Sequence, residues 1–132
     1  MDQPDTPARA AQRQLDAYNA RDIEAFLAVY APDCVVYSHP SGQVLMQGVE
    51  AMRARYEVLF AEHPELRCRL LARMEHECFA IDLEHVEGLR AGEIVHAVAM
   101  YEVRAGRIVN VWFLNDPEPA PTPDPERDSV PS

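Results

Sequence analysis

The chain has 132 residues, 48% of them hydrophobic, with a formal net charge of −10 and no lysine. This length supports one hydrophobic core in one domain, and the acidic balance excludes a nucleic-acid or anionic-membrane surface, which needs concentrated positive charge. The absence of lysine excludes Schiff-base chemistry and the phosphate-binding lysine of a P-loop.

The first predicted element is a helix in "TPARAAQRQLDAYNA", with Thr6 as N-cap, Pro7 at its first position, and Ala11, Leu15 and Tyr18 on one face. "NARD" breaks it and offers Asp22 as the next cap. A short amphipathic helix follows through Ile23, Phe26, Leu27 and Tyr30, stopped by Pro32. "CVVYSHP" reads as a strand with Val35, Tyr37 and His39 on one face, "SGQ" as a turn and "VLMQG" as a short extended segment. "GVEAMRARYEVLFAEHP" is the strongest helix, with an apolar stripe of Val49, Met52, Tyr56, Leu59 and Phe60, and Pro64 ends it.

From Leu66 the period changes to that of strands: "LRCRLLARMEH", "CFAIDLEHVEG", "EIVHAVAMYEVR" and "RIVNVWFLN", with turns at His76–Glu77, "GLRAG" and "RAG". Helices followed by an antiparallel meander predict an α+β domain with helices covering one face of a curved sheet. The segment 117–132 is proline-rich and acidic, and its composition predicts a disordered tail; residues 1–7 form a short N-terminal extension. Cys34, Cys68 and Cys78 have no paired spacing, as in a reduced, cytoplasmic protein. A bridge between Cys68 and Cys78 on neighbouring strands stays open. No window reaches the roughly 20 apolar residues of a membrane helix, so a soluble protein is expected.

Both faces of the last two strands are apolar, whereas a sheet with one solvated face alternates apolar with polar. The helices can cover one face. The other, carrying His96, Val98, Met100 and Trp112, would be a large apolar patch on a monomer, and sheet-to-sheet homodimerisation is the expected cover. In "FAIDLEHVEG", Asp82 and Glu84 share a face with Ala80 and Val86. Either they serve as a general base or water-positioning group in a pocket, or Asp82 makes a cross-strand ion pair with Arg73, which the turn at His76–Glu77 brings opposite Ala80 to Asp82. The i, i+2 pairs His76/Cys78 and His85/Glu87 lack a second pair to complete a tetrahedral metal site, so no metal and no cofactor is expected.

The run "QRQLDAYNARDIEAFLAVYAPDCVVYSHPSG", then a helix, a strand meander and a closing "GRIVNVWFLND", resembles the nuclear-transport-factor-2-like superfamily in its SnoaL-like and ketosteroid-isomerase-like branch. "YNARD", "YAPD" and "VWF" carry the likeness, which spans residues 8 to 116. The resemblance implies a cone: a curved sheet wrapped around three helices, a deep pocket in its open end, and frequent dimers. Where ketosteroid isomerases carry a tyrosine on the first helix, counting back from Asn19-Ala20-Arg21-Asp22 gives Gln14. Where they carry a base aspartate before a proline, this chain has His39 before Pro40, or Ser38 by an ungapped count. Their second aspartate falls near Ala99. The resemblance therefore implies no steroid isomerisation. Arg73, Asp82 and Glu84 loosely echo the Asp-Arg-Asp group of superfamily epoxide hydrolases, and His39 with Asp82 echoes the histidine and aspartate of SnoaL-type cyclases.

The same resemblance puts Asp82, Glu84, Ala97, Ala99 and Tyr101 on the pocket side. The expected protein binds a small apolar or amphipathic molecule among Gln14, Tyr18, Tyr37, Arg55, Tyr56, Arg73, Ala99, Tyr101 and Phe113. It is either a cofactor-independent isomerase, cyclase or hydratase using His39, Asp82 and Glu84, or a non-catalytic binding or dimerisation module of the same fold.

Overall fold

The structure, a computed structural model, describes residues 6–114. The expected tail and the start of the N-terminal extension lie outside the described residues. In chain order the elements are α1 (Pro7–Ala20), α2 (Ile23–Leu27), β1 (Tyr30–Ser38), β2 (Val44–Gln47), α3 (Val49–Glu62), β3 (Arg67–His76), β4 (Phe79–Glu87), β5 (Ile94–Arg104) and β6 (Arg107–Phe113). The six strands form one curved sheet in the order β2-β1-β6-β5-β4-β3. All neighbours are antiparallel except β1 and β6. The helices lie on the inner face, and no helix among the described residues is long and apolar enough to cross a membrane. This is the expected α+β plan.

Local chemistry explains the start of the fold. The Thr6 side chain caps α1 by accepting from the Arg9 N–H, and Pro7 fits the first turn, where its missing N–H costs nothing. The "NARD" that ends α1 then ties three elements together. Asn19 pairs with Cys68 as a strand would, giving its Nδ2 hydrogen to the Cys68 carbonyl at 2.9 Å and taking the Cys68 N–H at 2.8 Å. Arg21 sits in the left-handed region (φ 55°) and its guanidinium donates to the carbonyls of His63, Pro64 and Leu66, fixing the α3–β3 connection. Asp22 caps α2.

Three sequence expectations need correction. Tyr30 does not close the second helix but opens β1, because the chain leaves the helix after Leu27 and Ile108 donates its N–H to the Val29 carbonyl. Strand β6 does not keep one parity. Its pairing with β5 slips between Glu102 and Val103, so Ile108 and Val111, on opposite faces of an unbroken strand, are both buried in the core. The turn between β3 and β4 falls one residue later than expected, at Glu77–Cys78, and Arg73 stands opposite Asp82. Cys68 and Cys78 are free thiols, which closes the question of a bridge.

Gly88 holds the β4 end against the α3–β3 connection. Its φ is +88°, and a Cβ there would lie 2.3 Å from the Glu65 carbonyl oxygen, so only glycine permits this approach.

Candidate functional site

The inner row of β4 is Ala80, Asp82, Glu84 and Val86, all buried. Its two carboxylates have different neighbours. Asp82, 0% exposed, receives two hydrogen bonds from Arg73, Nε to Oδ1 at 2.7 Å and Nη2 to Oδ2 at 2.9 Å. This fork-on-fork geometry is the strong form of the pair. Arg73 gives an Nη1 hydrogen to Gln12 Oε1 on α1 at 2.9 Å. A slip in β3 between Leu70 and Ala72 makes the pair possible, since it brings Arg73 onto the inner face that Cys68 also occupies.

Glu84 has no such partner. Its cross-strand neighbours are Leu70 on β3 and Ala97 on β5. It is 5% exposed and lines a cavity of about 290 Å³ between the sheet, α1 and α3. Burial, and then the nearby Asp82 charge, raise its pKa from 4.5 to about 7. A hydrogen bond from the Cys68 thiol and the more distant Arg73 pull in the other direction. Cys68 itself is pushed up, chiefly by burial and by the Glu84 charge, so it stays a thiol and a donor.

The rest of the wall is apolar and phenolic. Leu15, Phe26, Leu45, Met46, Leu59 and Phe113 supply its hydrocarbon surface. Tyr18, Tyr30, Tyr56 and Tyr101 turn toward it, and burial keeps their hydroxyls protonated, that of Tyr56 being pushed up to about 12. Tyr18, Phe26 and Tyr56 of the wall form an aromatic cluster with Phe60, with ring centroids 4.7 to 6.4 Å apart. Arg55 stands exposed on α3 at the edge of the cavity and, among the described residues, makes no ion pair.

Of the residues singled out from sequence, Gln14, Tyr18, Arg55, Tyr56, Glu84, Tyr101 and Phe113 meet at this cavity. Asp82 and Arg73 lie beside it, each occupied by the other. Ala99 is fully buried on β5 between Asp82 and Phe113. Two residues are not brought there. Cys34, Val36 and Ser38 are the buried row of β1, so Tyr37 falls on the outer face, where it stacks on Trp112 at 5.6 Å and 14°. His39 is exposed beyond the end of β1, its N–H bonded to the Phe113 carbonyl, and is not part of the cavity wall. The expected partnership of His39 with Asp82 is thus not formed. Sequence reasoning missed Cys68 and Tyr30. The signal for Cys68 was an apolar residue between two arginines at the start of a strand; Tyr30 was hidden by its placement in a helix.

The outer face carries Val98, Met100 and Trp112 half-buried, with Met74, Leu83, Ile94 and Leu114 exposed. His85 and His96 meet edge-on there at 4.3 Å. Among the described residues no three His, Cys, Asp or Glu side chains are grouped to hold a metal ion.

This cone of helices inside a curved sheet, with a cavity between them, has a match at the level of sequence. Residues 11–111 match the model of the SnoaL-like domain. The chain belongs to the SnoaL-like domain family. Its fold is that of the nuclear-transport-factor-2-like superfamily. A cystatin-fold protein of Novosphingobium aromaticivorans superposes with a TM-score of 0.75 at 22% identity, over 83% of this chain and 98% of that one. A proposed polyketide cyclase of Sinorhizobium meliloti gives 0.68 at 22% identity, over 79% and 92%. IdmH, a proposed polyketide cyclase of Streptomyces antibioticus, gives 0.70 at 20% identity, over 83% and 91%. At these identities the likeness establishes the fold alone. No curated protein sequence matches the chain significantly.

Proposed function

We propose that this SnoaL-like protein binds a small, largely apolar molecule in the cavity and that Glu84 moves a proton on it without a cofactor. The reading is carried by one observation: a carboxylate 5% exposed, without a cationic partner, in an apolar cavity, with its pKa raised to about 7. A group that titrates near neutrality can both take and return a proton, and is a stronger base than a carboxylate at its ordinary pKa. Asp82 keeps Arg73 away from this work by holding both of its oxygens' worth of hydrogen bonds. The two proposed polyketide cyclases among the structural neighbours support the same reaction class. An isomerase, cyclase or hydratase step each begins with such a transfer.

A second reading has its own support. His39 is outside the cavity, which leaves Glu84 the one wall group titrating near neutrality among the described residues. A protein that only binds its ligand needs no second acid or base.

A carbon-acid probe separates the two. 5-Nitrobenzisoxazole, an apolar two-ring compound, opens to a coloured phenolate when a base removes the proton on C3 of its isoxazole ring and the N–O bond breaks. Catalysis that rises with pH through about 7 and is lost in Glu84→Gln, but kept in His39→Ala, supports proton transfer by Glu84. Binding of the probe without turnover supports the module. Equal turnover by wild type and Glu84→Gln sinks the leading reading.

The outer face supports a homodimer: Val98, Met100 and Trp112, with exposed Leu83 and Met74 beside them, form an apolar patch of the kind that marks interfaces. Val98→Arg should give a monomer by sedimentation where wild type is a dimer; an unchanged mass would reject this face.

A further inference from the structure

Helix α3 carries two arginines with opposite surroundings. Arg53 is enclosed by acids: Glu50, three residues before it, and Glu57, four after, lie at 3.8 and 3.6 Å, and Glu24 on α2 meets it at 2.6 Å. Around Arg55 the helix is apolar. The positions three and four residues away are Ala51, Met52, Val58 and Leu59, so no carboxylate on α3 reaches it along its own face. In a chain with 22 acidic residues and 12 arginines, this guanidinium makes no ion pair among the described residues.

Its place is the edge of the cavity. Arg55 belongs to the wall together with Tyr56 and Leu59 of the same helix, yet is exposed, whereas Glu84 in the same wall is buried. Tyr56 stands between the two. Its hydroxyl feels both charges, Arg55 drawing its pKa down and Glu84 pushing it up. Glu84 itself feels Asp82 and Arg73. The cavity therefore has a cation at its rim and a carboxyl group in its depth, with a phenol and apolar wall between them.

We infer that Arg55 selects a ligand with a carboxylate, its apolar body enclosed in the cavity and its charged end held at the rim by the guanidinium. The inference rests on the proposed ligand-binding role of this cavity and adds to it the charge and the orientation of the ligand. A planar carboxylate matches the guanidinium fork, which can give it two parallel N–H···O bonds. At the rim the charged end keeps part of its hydration, so holding it there costs little. Deeper in, it would lose that hydration and meet the Glu84 carboxyl group as a like charge. With the carboxylate outward, the carbons at the far end of the ligand are the ones that approach Glu84. The net charge of −10 gives the chain a long-range field that opposes an anionic ligand, and the close pair with Arg55 offsets it.

Size sets the probe. An apolar cavity of about 150 Å³ accommodates one benzene ring, so the 290 Å³ found here suits about two rings. The test uses the full chain with 2-naphthoate and with 2-naphthamide, its uncharged counterpart of the same shape. Binding is measured by calorimetry at about pH 6, where Glu84 is largely protonated and naphthoate is ionised. Arg55→Gln should weaken naphthoate binding about fivefold, the upper end for an exposed ion pair, and leave naphthamide unchanged. Arg107→Gln is the control. It removes the same charge from an exposed place on β6 outside this cavity, and should leave both affinities within about twofold of wild type. Unchanged naphthoate affinity in Arg55→Gln overturns the inference, as does an equal loss in Arg107→Gln or binding of naphthamide without naphthoate. In each of those cases the bound naphthamide leaves the cavity reading standing. Failure of both compounds to bind wild type overturns the cavity reading itself, and this inference with it.

Discussion

The two carboxylates in the middle of the inner row of β4 differ in what stands across from them. Opposite Asp82 on β3 is Arg73, and the two close a bidentate pair that α1 completes through Gln12. Opposite Glu84, two residues on, is Leu70, with Ala97 on the other side. Both carboxylates are buried to a similar degree. One is neutralised by a fixed cation and helps clamp α1 to the sheet; the other is left in an apolar wall with a thiol for company. Burial alone does not tell a structural carboxylate from a functional one. The side chain directly across the strand does, because it decides whether desolvation is offset by a nearby opposite charge.

The largest expected effect breaks the first half of this contrast. Asp82→Asn removes the charge that Arg73 holds and leaves a guanidinium in a largely buried place. Unfolding by urea should show a loss of about 3–5 kcal/mol at neutral pH. A loss below about 1 kcal/mol would mean that the pair is too well solvated to be a clamp.

Glu84→Gln should act in the opposite sense, and its effect should depend on pH. The folded-state pKa of Glu84 is raised to about 7 from 4.5. Between those values the folded state holds a proton that the unfolded state has released, so stability falls as pH rises through this window. The cost is fully present above about pH 7 and absent below about pH 4. Glu84→Gln should therefore gain on the order of 2 kcal/mol at pH 8 and nothing at pH 4. A variant less stable than wild type at pH 8 would show that Glu84 has a partner after all.

The smallest effect sharpens the picture of Glu84 itself. The Cys68 thiol donates to its carboxylate and holds its pKa down. Cys68→Ala should move the Glu84 titration upward by less than one pH unit, the scale of a single hydrogen bond of about 1 kcal/mol. A downward movement, seen by carboxyl NMR, would mean that Cys68 acts mainly by burying Glu84 rather than by bonding to it.

Much of this contrast was legible in the sequence, for reasons that can be stated. Alternation in "FAIDLEHVEG" puts Asp82 and Glu84 on one face, and the short turn after His76 sets Arg73 opposite Asp82. Helix caps at Thr6 and Asp22 follow from their side chains. Strand irregularities were not legible. The slips in β3 and β6 change which residues face inward, and nothing in the periodicity of "LRCRLLARMEH" or "RIVNVWFLN" announces an extra residue. The parallel pairing of β1 with β6 joins segments far apart in the chain, and local pattern has no access to it. For the same reason the face of β1 was ambiguous. Val35, Tyr37 and His39 alternate correctly, but only the sheet order shows that Val35 and Tyr37 face outward and that His39 lies past the strand end. The hydrogen bonds that link Tyr30, Gln14 and Tyr101 join three separate segments and depend on side-chain contacts alone.

The most direct measurement is the titration of Glu84 followed by its side-chain carboxyl carbon in ¹³C-glutamate-labelled protein, assigned by its absence in Glu84→Gln. A midpoint near 7 is predicted, well above the 4.5 of an ordinary glutamate. A midpoint at the ordinary value would mean that the carboxylate is solvated or paired, and would contradict its role as the proton-transfer group of the cavity.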